Sequence, residues 1–157
     1  MDVPLSTPFI PGANKTIAKA EMAKVPIFGL IYKRGSILVD RNDKNSRKNS
    51  FKKMKEVLNL GMHMCIYPEG TRNTSAEPIK PFHDGAFRLA VTTGHAIIPM
   101  IIFNSRKANP PDKSFYLMPV KLKMEFLPEV EVIPGETVEQ IKARVFELMK
   151  NFIVQHQ

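Results

Sequence analysis

Glu69, Gly70, Thr71 and Arg72 stand in succession after Tyr67-Pro68, and together these residue types can grip an anion. Arg72 offers a planar fork of N–H donors that meets a phosphate in two places. Thr71 adds a hydroxyl, and Gly70 lets the backbone turn tightly or come close to a ligand. Glu69 can hold such an arginine in position. For four residues alone, a surface turn with a local ion pair explains the pattern as well. A second arginine, Arg41, ends the stretch Gly35-Ser36-Ile37-Leu38-Val39-Asp40-Arg41, so two guanidinium groups follow two apolar runs. General-base candidates are poorer. His63 falls in an expected strand, His83 ahead of a helix, His95 in a turn and His156 in the tail, where each is read as a structural or exposed side chain. Cys65 is the single cysteine; it has no partner for an intrachain disulfide, and a reducing, intracellular setting is the easier reading.

Such groups need elements to carry them. Apolar, β-branched clusters alternate with longer amphipathic stretches, the pattern of strands laid between helices, and this predicts an α/β domain with a mostly parallel central sheet flanked by helices. Strands are expected over 16–19, 36–40, 62–67, 96–103 and 120–126, the last as an edge strand with one wet face. Helices are expected over 21–33, kinked or bounded by Pro26, over 44–60, with Phe51, Met54, Val57 and Leu58 on one face, and over 84–93, with Asp84 as N-cap and Gly94 as stop. A capping box of Thr137 and Gln140 opens a final helix carrying Ile141, Val145, Leu148 and Phe152. Residues 69–81 and 105–113 read as loops. The motif residues thus lie at strand ends, where α/β sheets bind ligands. With 157 residues and 43% hydrophobic composition, one domain over 1–157 is expected, with neither repeat nor linker.

Further blocks extend the pattern on both sides. Lys19-Ala20-Glu21-Met22 with Val25-Pro26-Ile27-Phe28-Gly29 precedes Arg41; Pro81-Phe82-His83-Asp84-Gly85-Ala86-Phe87-Arg88-Leu89-Ala90 and then Ile97-Ile98-Pro99-Met100 follow Arg72. In order and spacing these five blocks resemble the 1-acyl-glycerol-3-phosphate (lysophosphatidic acid) acyltransferases from about residue 2 to 103, with the C-terminal strands and helix over 114–156 outside the resemblance. It implies a glycerolipid acyltransferase-like fold and transfer of a fatty acyl group from acyl-CoA or acyl carrier protein to the free hydroxyl of a lysophospholipid, without metal or bound cofactor. It also implies that Arg41 and Arg72 bind the acceptor's phosphate with Lys19 as a helper, and that Glu69, Gly70 and Thr71 shape the pocket. The family's His-x-x-x-x-Asp motif supplies a histidine that removes the hydroxyl proton and an aspartate that fixes its tautomer.

By this register Asp2 is the motif aspartate, and its histidine would lie before Met1. The expectation is an N-terminally truncated chain that itself has little or no transferase activity. The alternative is a non-catalytic homologue that keeps the phosphate cradle and binds lysophospholipid without turnover.

The formal charge of +8, from 23 Lys and Arg against 15 Asp and Glu, favours anionic partners. Nucleic acid is disfavoured, because aromatic content is 8% with no Trp and no basic-aromatic interleaving is present to stack bases. A membrane surface fits better. Lys44, Arg47, Lys48, Lys52, Lys53 and Lys55 form either a headgroup-facing patch or simply a solvated helix face. No apolar run reaches the roughly 20 residues of a spanning helix, so peripheral or monotopic seating on the cytoplasmic face of a membrane is expected. The nine methionines read as core filler before they read as an acyl tunnel.

Overall fold

The computed structural model of the protein describes residues 6–26, 28–75, 77–108, 110 and 118–156. Its backbone gathers into two compact units, Met1–Ile66 and Tyr67–Gln157, and the boundary is marked by no linker composition.

The first unit is built on three parallel strands, β1 (Asn14–Lys19), β2 (Ser36–Val39) and β3 (His63–Cys65), in the order β2-β1-β3. Central placement explains why β1 carries a threonine with only 1% exposure, Thr16, beside buried Ala18. Both crossovers are helical, as parallel strands require: α1 (Phe28–Gly35) leads from β1 to β2 and α2 (Lys44–Asn59) from β2 to β3. Asp43 caps α2 by accepting from the N–H groups of Asn45 and Ser46, both at 3.0 Å. Ser50, Met54 and Val57 are its buried residues, while Phe51 and Leu58 are half-buried. Gly61, at φ +72°, turns the chain into β3.

Two boundaries differ from the expected ones. In place of one helix over 21–33, the chain makes a 3-10 turn, Ala20–Lys24, and then α1. Pro26 causes the break, because the residue before a proline avoids the helical region, and Val25 is extended at φ −70°, ψ 126°. Gly29 lets α1 start against that turn; a Cβ there would collide with the carbonyl oxygen of Ala23. The strand expected over 62–67 is shortened to β3, since Pro68 and the turn after it take the chain out of the ladder.

The second unit pairs β4 (Met100–Phe103) with β5 (Lys123–Phe126) antiparallel, Met100 opposite Phe126 and Phe103 opposite Lys123. Its helices are α3 (Gly85–Thr93), a short α4 (Ser105–Ala108) within the segment expected as a loop, and α5 (Val138–Gln155). The strand expected over 96–103 is cut by Pro99: Ile97 makes an isolated bridge to Val130, and the ladder resumes at Met100. The edge strand expected over 120–126 is limited to β5. In α5 both bonds of the capping box form, Thr137 N–H to Gln140 Oε1 at 2.8 Å and Gln140 N–H to Thr137 Oγ1 at 3.3 Å. Its apolar face meets α3 in the core, where Ile141 has 0% exposure and Phe87 1%. Phe82 stacks on Phe87 at 5.8 Å and meets Phe146 edge-on at 5.1 Å.

Asp84 departs from its expected role. It stands in the N-cap position of α3, yet its backbone is helical and its side chain makes no cap bond. Its carboxylate instead accepts from Lys142 Nζ of α5 at 2.6 Å. That hydrogen bond first, and the lysine's charge second, hold the carboxyl below its ordinary value of 3.8.

Two outcomes are expected. Ile141→Ala leaves a void between α3 and α5 and lowers the urea unfolding free energy by about 2–5 kcal/mol. A depressed carboxyl pKa gives stability that is whole above the ordinary aspartate value and lost as pH falls through the lowered one. With the Asp84 side chain 44% exposed, the pair contributes only about 0.2–1 kcal/mol. Urea midpoints of wild type and Lys142→Met should therefore differ at about pH 6 and converge as the pH falls below the ordinary aspartate value.

Candidate functional site

The motif turn is closed by its own backbone. Gly70 N–H donates to Tyr67 O at 3.1 Å and Thr71 N–H to Glu69 O at 2.8 Å; Gly70 adopts φ +69°, the left-handed conformation that side chains resist. The returning arm of the loop is fastened at two points: Glu69 Oε2 accepts from Lys80 N–H at 2.9 Å, and Pro68 O accepts from His83 N–H at 2.9 Å. Glu69, expected to hold an arginine, commits one carboxylate oxygen to this backbone closure. Buried Ile79 and Phe82 pin the returning arm to the core on either side of Lys80. At the loop's far end Asn73 organises a turn, accepting from Ser75 N–H at 2.9 Å and donating to Glu77 O at 2.8 Å. Arg106 ties the same tip to α4 through Ser75 O at 2.9 Å.

Thr71 and Arg72 are both exposed at the apex. A cation that the sequence reading overlooked joins them: Lys80 Nζ donates to Thr71 Oγ1 at 2.7 Å. No local spacing announces it, since nine residues separate the pair.

In the first unit, the parallel register brings Lys19 beside Val39 at the carboxyl edge of the sheet, and Asp40-Arg41 leave β2 at that same edge. Asp40 N–H donates to Ser46 Oγ at 2.9 Å, Asp40 Oδ1 accepts from Asn42 N–H at 2.9 Å, and Arg41 O accepts from Arg47 Nη1 at 2.6 Å. The turn that presents Arg41 is thereby tied to the start of α2. Lys19 and Arg41 are exposed. The structure thus gathers Lys19 and Arg41 at one sheet edge, and Glu69, Gly70, Thr71 and Arg72 in one turn of the second unit. Asp2 lies outside the described residues.

The histidines occupy structural or open positions. His63 N–H continues the β1 edge to Ala13 O at 2.8 Å, and His156 Nδ1 lies 2.8 Å from Phe152 O with its ring stacked 4.0 Å from that of Phe152. His83 and His95 are exposed.

All the site residues singled out fall within residues 1–103, the stretch matched by the Acyltransferase family model. The chain belongs to the acyltransferase family. Relatives are enzymes named 1-acyl-sn-glycerol-3-phosphate acyltransferase. That of Helicobacter pylori is 38% identical over 92 residues, covering 58% of this chain and 39% of the relative. The Cocos nucifera protein is 30% identical over 110 residues, 69% of this chain and 35% of the relative. This acyltransferase chain thus spans little more than a third of those relatives. Its fold matches the crystal structure of the 1-acyl-sn-glycerophosphate (LPA) acyltransferase PlsC from Thermotoga maritima with a TM-score of 0.78 at 22% identity, covering 99% of this chain and 61% of that one.

The left-handed turn gives a direct test of the motif geometry. Gly70→Ala forces a Cβ into that conformation and is expected to cost about 1–2 kcal/mol. Gly70→Asn, whose side chain tolerates it, should cost less; urea unfolding of the two variants compares them.

Proposed function

We propose that this acyltransferase transfers a fatty acyl group from an acyl thioester, of coenzyme A or acyl carrier protein, to the free hydroxyl of lysophosphatidic acid. The observation that carries the reading is the turn at Gly70, braced by Glu69 and Lys80, which holds Thr71 and Arg72 at the surface as donors to an anion. By motif position Lys19, Arg41 and Arg72 are assigned to the acceptor's phosphate, while Glu69, Gly70 and Thr71 shape the pocket.

In the reaction, a histidine at the His-x-x-x-x-Asp spacing takes the acceptor's hydroxyl proton. The oxygen attacks the thioester carbonyl, a C–O bond forms, the C–S bond breaks, and the proton passes to the departing thiolate. Asp2 orients the histidine and stabilises its imidazolium form. No metal or resident cofactor has a role in these steps.

The acceptor lives in a membrane, and the first unit offers a surface for one. On α1, Leu30 and Ile31 are each 58% exposed, with Lys33 and Arg34 exposed in the same helix. Apolar side chains rimmed by cations suit a peripheral seat on the anionic cytoplasmic leaflet. Lys44, Lys48, Lys52 and Lys53 of α2 are exposed as well. Among the described residues no helix is long and apolar enough to cross a membrane.

The test is thioester-dependent acylation of lysophosphatidic acid. Arg72→Ala should raise the acceptor's apparent KM by about 10- to 100-fold, the scale of a lost charge-assisted hydrogen bond, with a smaller effect on kcat. Unchanged acceptor kinetics would remove Arg72 from the phosphate site.

A further inference from the structure

We infer that Lys80 is a specificity-determining residue: with Thr71 and Arg72 it forms a two-cation donor cluster that selects a phosphomonoester headgroup over a phosphodiester one. The inference rests on the acceptor-phosphate reading above and concerns what that site discriminates.

Three observations carry it. Lys80 Nζ sits 2.7 Å from Thr71 Oγ1, and Arg72, exposed at the same apex, follows Thr71 in the chain. Among the described residues, neither Arg72 nor Lys80 takes part in the ion pairs Lys123–Glu125, Lys142–Asp84 and Arg144–Glu136. Finally, Lys80 is held in place by its own backbone. Its N–H is bound to Glu69 Oε2 at 2.9 Å, and the neighbouring Ile79 and Phe82 are buried, so the half-buried side chain is directed toward Thr71 by a fixed segment rather than by a flexible surface arm.

The hydrogen-bond bookkeeping points the cluster outward. An ammonium only donates, so Thr71 Oγ1 is the acceptor in this pair and its own proton must be given elsewhere. The bond occupies one of the three N–H groups of Lys80. A hydroxyl proton and further ammonium donors are thus grouped at the apex that also carries exposed Arg72.

Charge decides which anion fits. A phosphomonoester carries about −1.5 to −2 at pH 7, because its second ionisation lies near 6, whereas a diester carries a single negative charge. Each cation added at the acceptor's phosphate favours the dianion over the monoanion, so Lys80, beyond the cations assigned by motif position, tips the site toward the monoester, the form in which lysophosphatidic acid presents its headgroup.

Lys80→Gln tests this without dismantling the turn, since the backbone bond to Glu69 is kept and the amide can still donate to Thr71. Isothermal titration of the 157-residue chain would use hexanoyl-lysophosphatidic acid as the monoester and hexanoyl-lysophosphatidylglycerol as the diester. Lys80→Gln should weaken monoester binding by about 10-fold, a typical effect of one charge-assisted contact, and leave the diester within about twofold. Wild-type affinity for the monoester should rise as pH passes through about 6, the second phosphate ionisation, and Lys80→Gln should flatten that rise. Equal losses for both ligands, or unchanged binding with a lowered unfolding midpoint, would make Lys80 a structural staple and overturn the inference. Arg72→Ala separates the two levels. If it weakens both ligands while Lys80→Gln affects neither, only the role of Lys80 fails; if neither variant matters, the acceptor-phosphate reading falls with it.

Discussion

A single carboxylate-to-amide hydrogen bond, from the Lys80 N–H to Glu69 Oε2, decides the form of the motif loop. It joins the first residues after the turn's entry to the arm that returns to the core, and so converts a loop of eleven positions into a closed hairpin-like brace. Together with the Pro68–His83 backbone bond it keeps Lys80 opposite Thr71, while the turn's own backbone bonds hold Gly70 left-handed. A buried or half-buried acceptor that satisfies a backbone donor is costly to lose. The glutamate in the motif is therefore explained by architecture as well as by any contact with arginine.

The first unit solves a comparable problem with a ladder. Parallel strands end on the same side, so pairing Lys19 with Val39 automatically sends Lys19 and Arg41 to one edge. The Asp43 cap and the Ser46 and Arg47 contacts then stiffen the turn from β2 into α2. Here local capping chemistry and sheet register act on the same few residues, which is how a short surface turn comes to have a defined shape.

Much of this was legible from residue order. The α/β class, the buried run of β2, the amphipathic α2 and the capping box of α5 follow from periodicity and cap residues that act over three or four positions. Prolines cut deeper than the periodicity implies: Pro26, read as a kink or an end, splits the expected helix in two, and Pro99 shortens one expected strand. Long-range pairings were likewise hidden. Asp84 has the right type and place for an N-cap, yet Lys142, 58 residues away, takes its carboxylate. Lys80 reads as one more loop cation until the fold brings it back to Thr71. At the site, the motif residues were visible as a string; the brace that shapes them was not.

The core of the second unit also bears on where this architecture can be divided. Phe87 belongs to the stretch shared with the family, residues 1–103, but it packs in one cluster with Ile141, Val145 and Ile153 of α5, which lie beyond it. A protein trimmed to the shared stretch would leave Phe87 of α3 without its partners from α5. The C-terminal helix is thus a structural tenant of the motif-bearing unit, and grafting the motifs onto another scaffold would require bringing an equivalent apolar helix along with them.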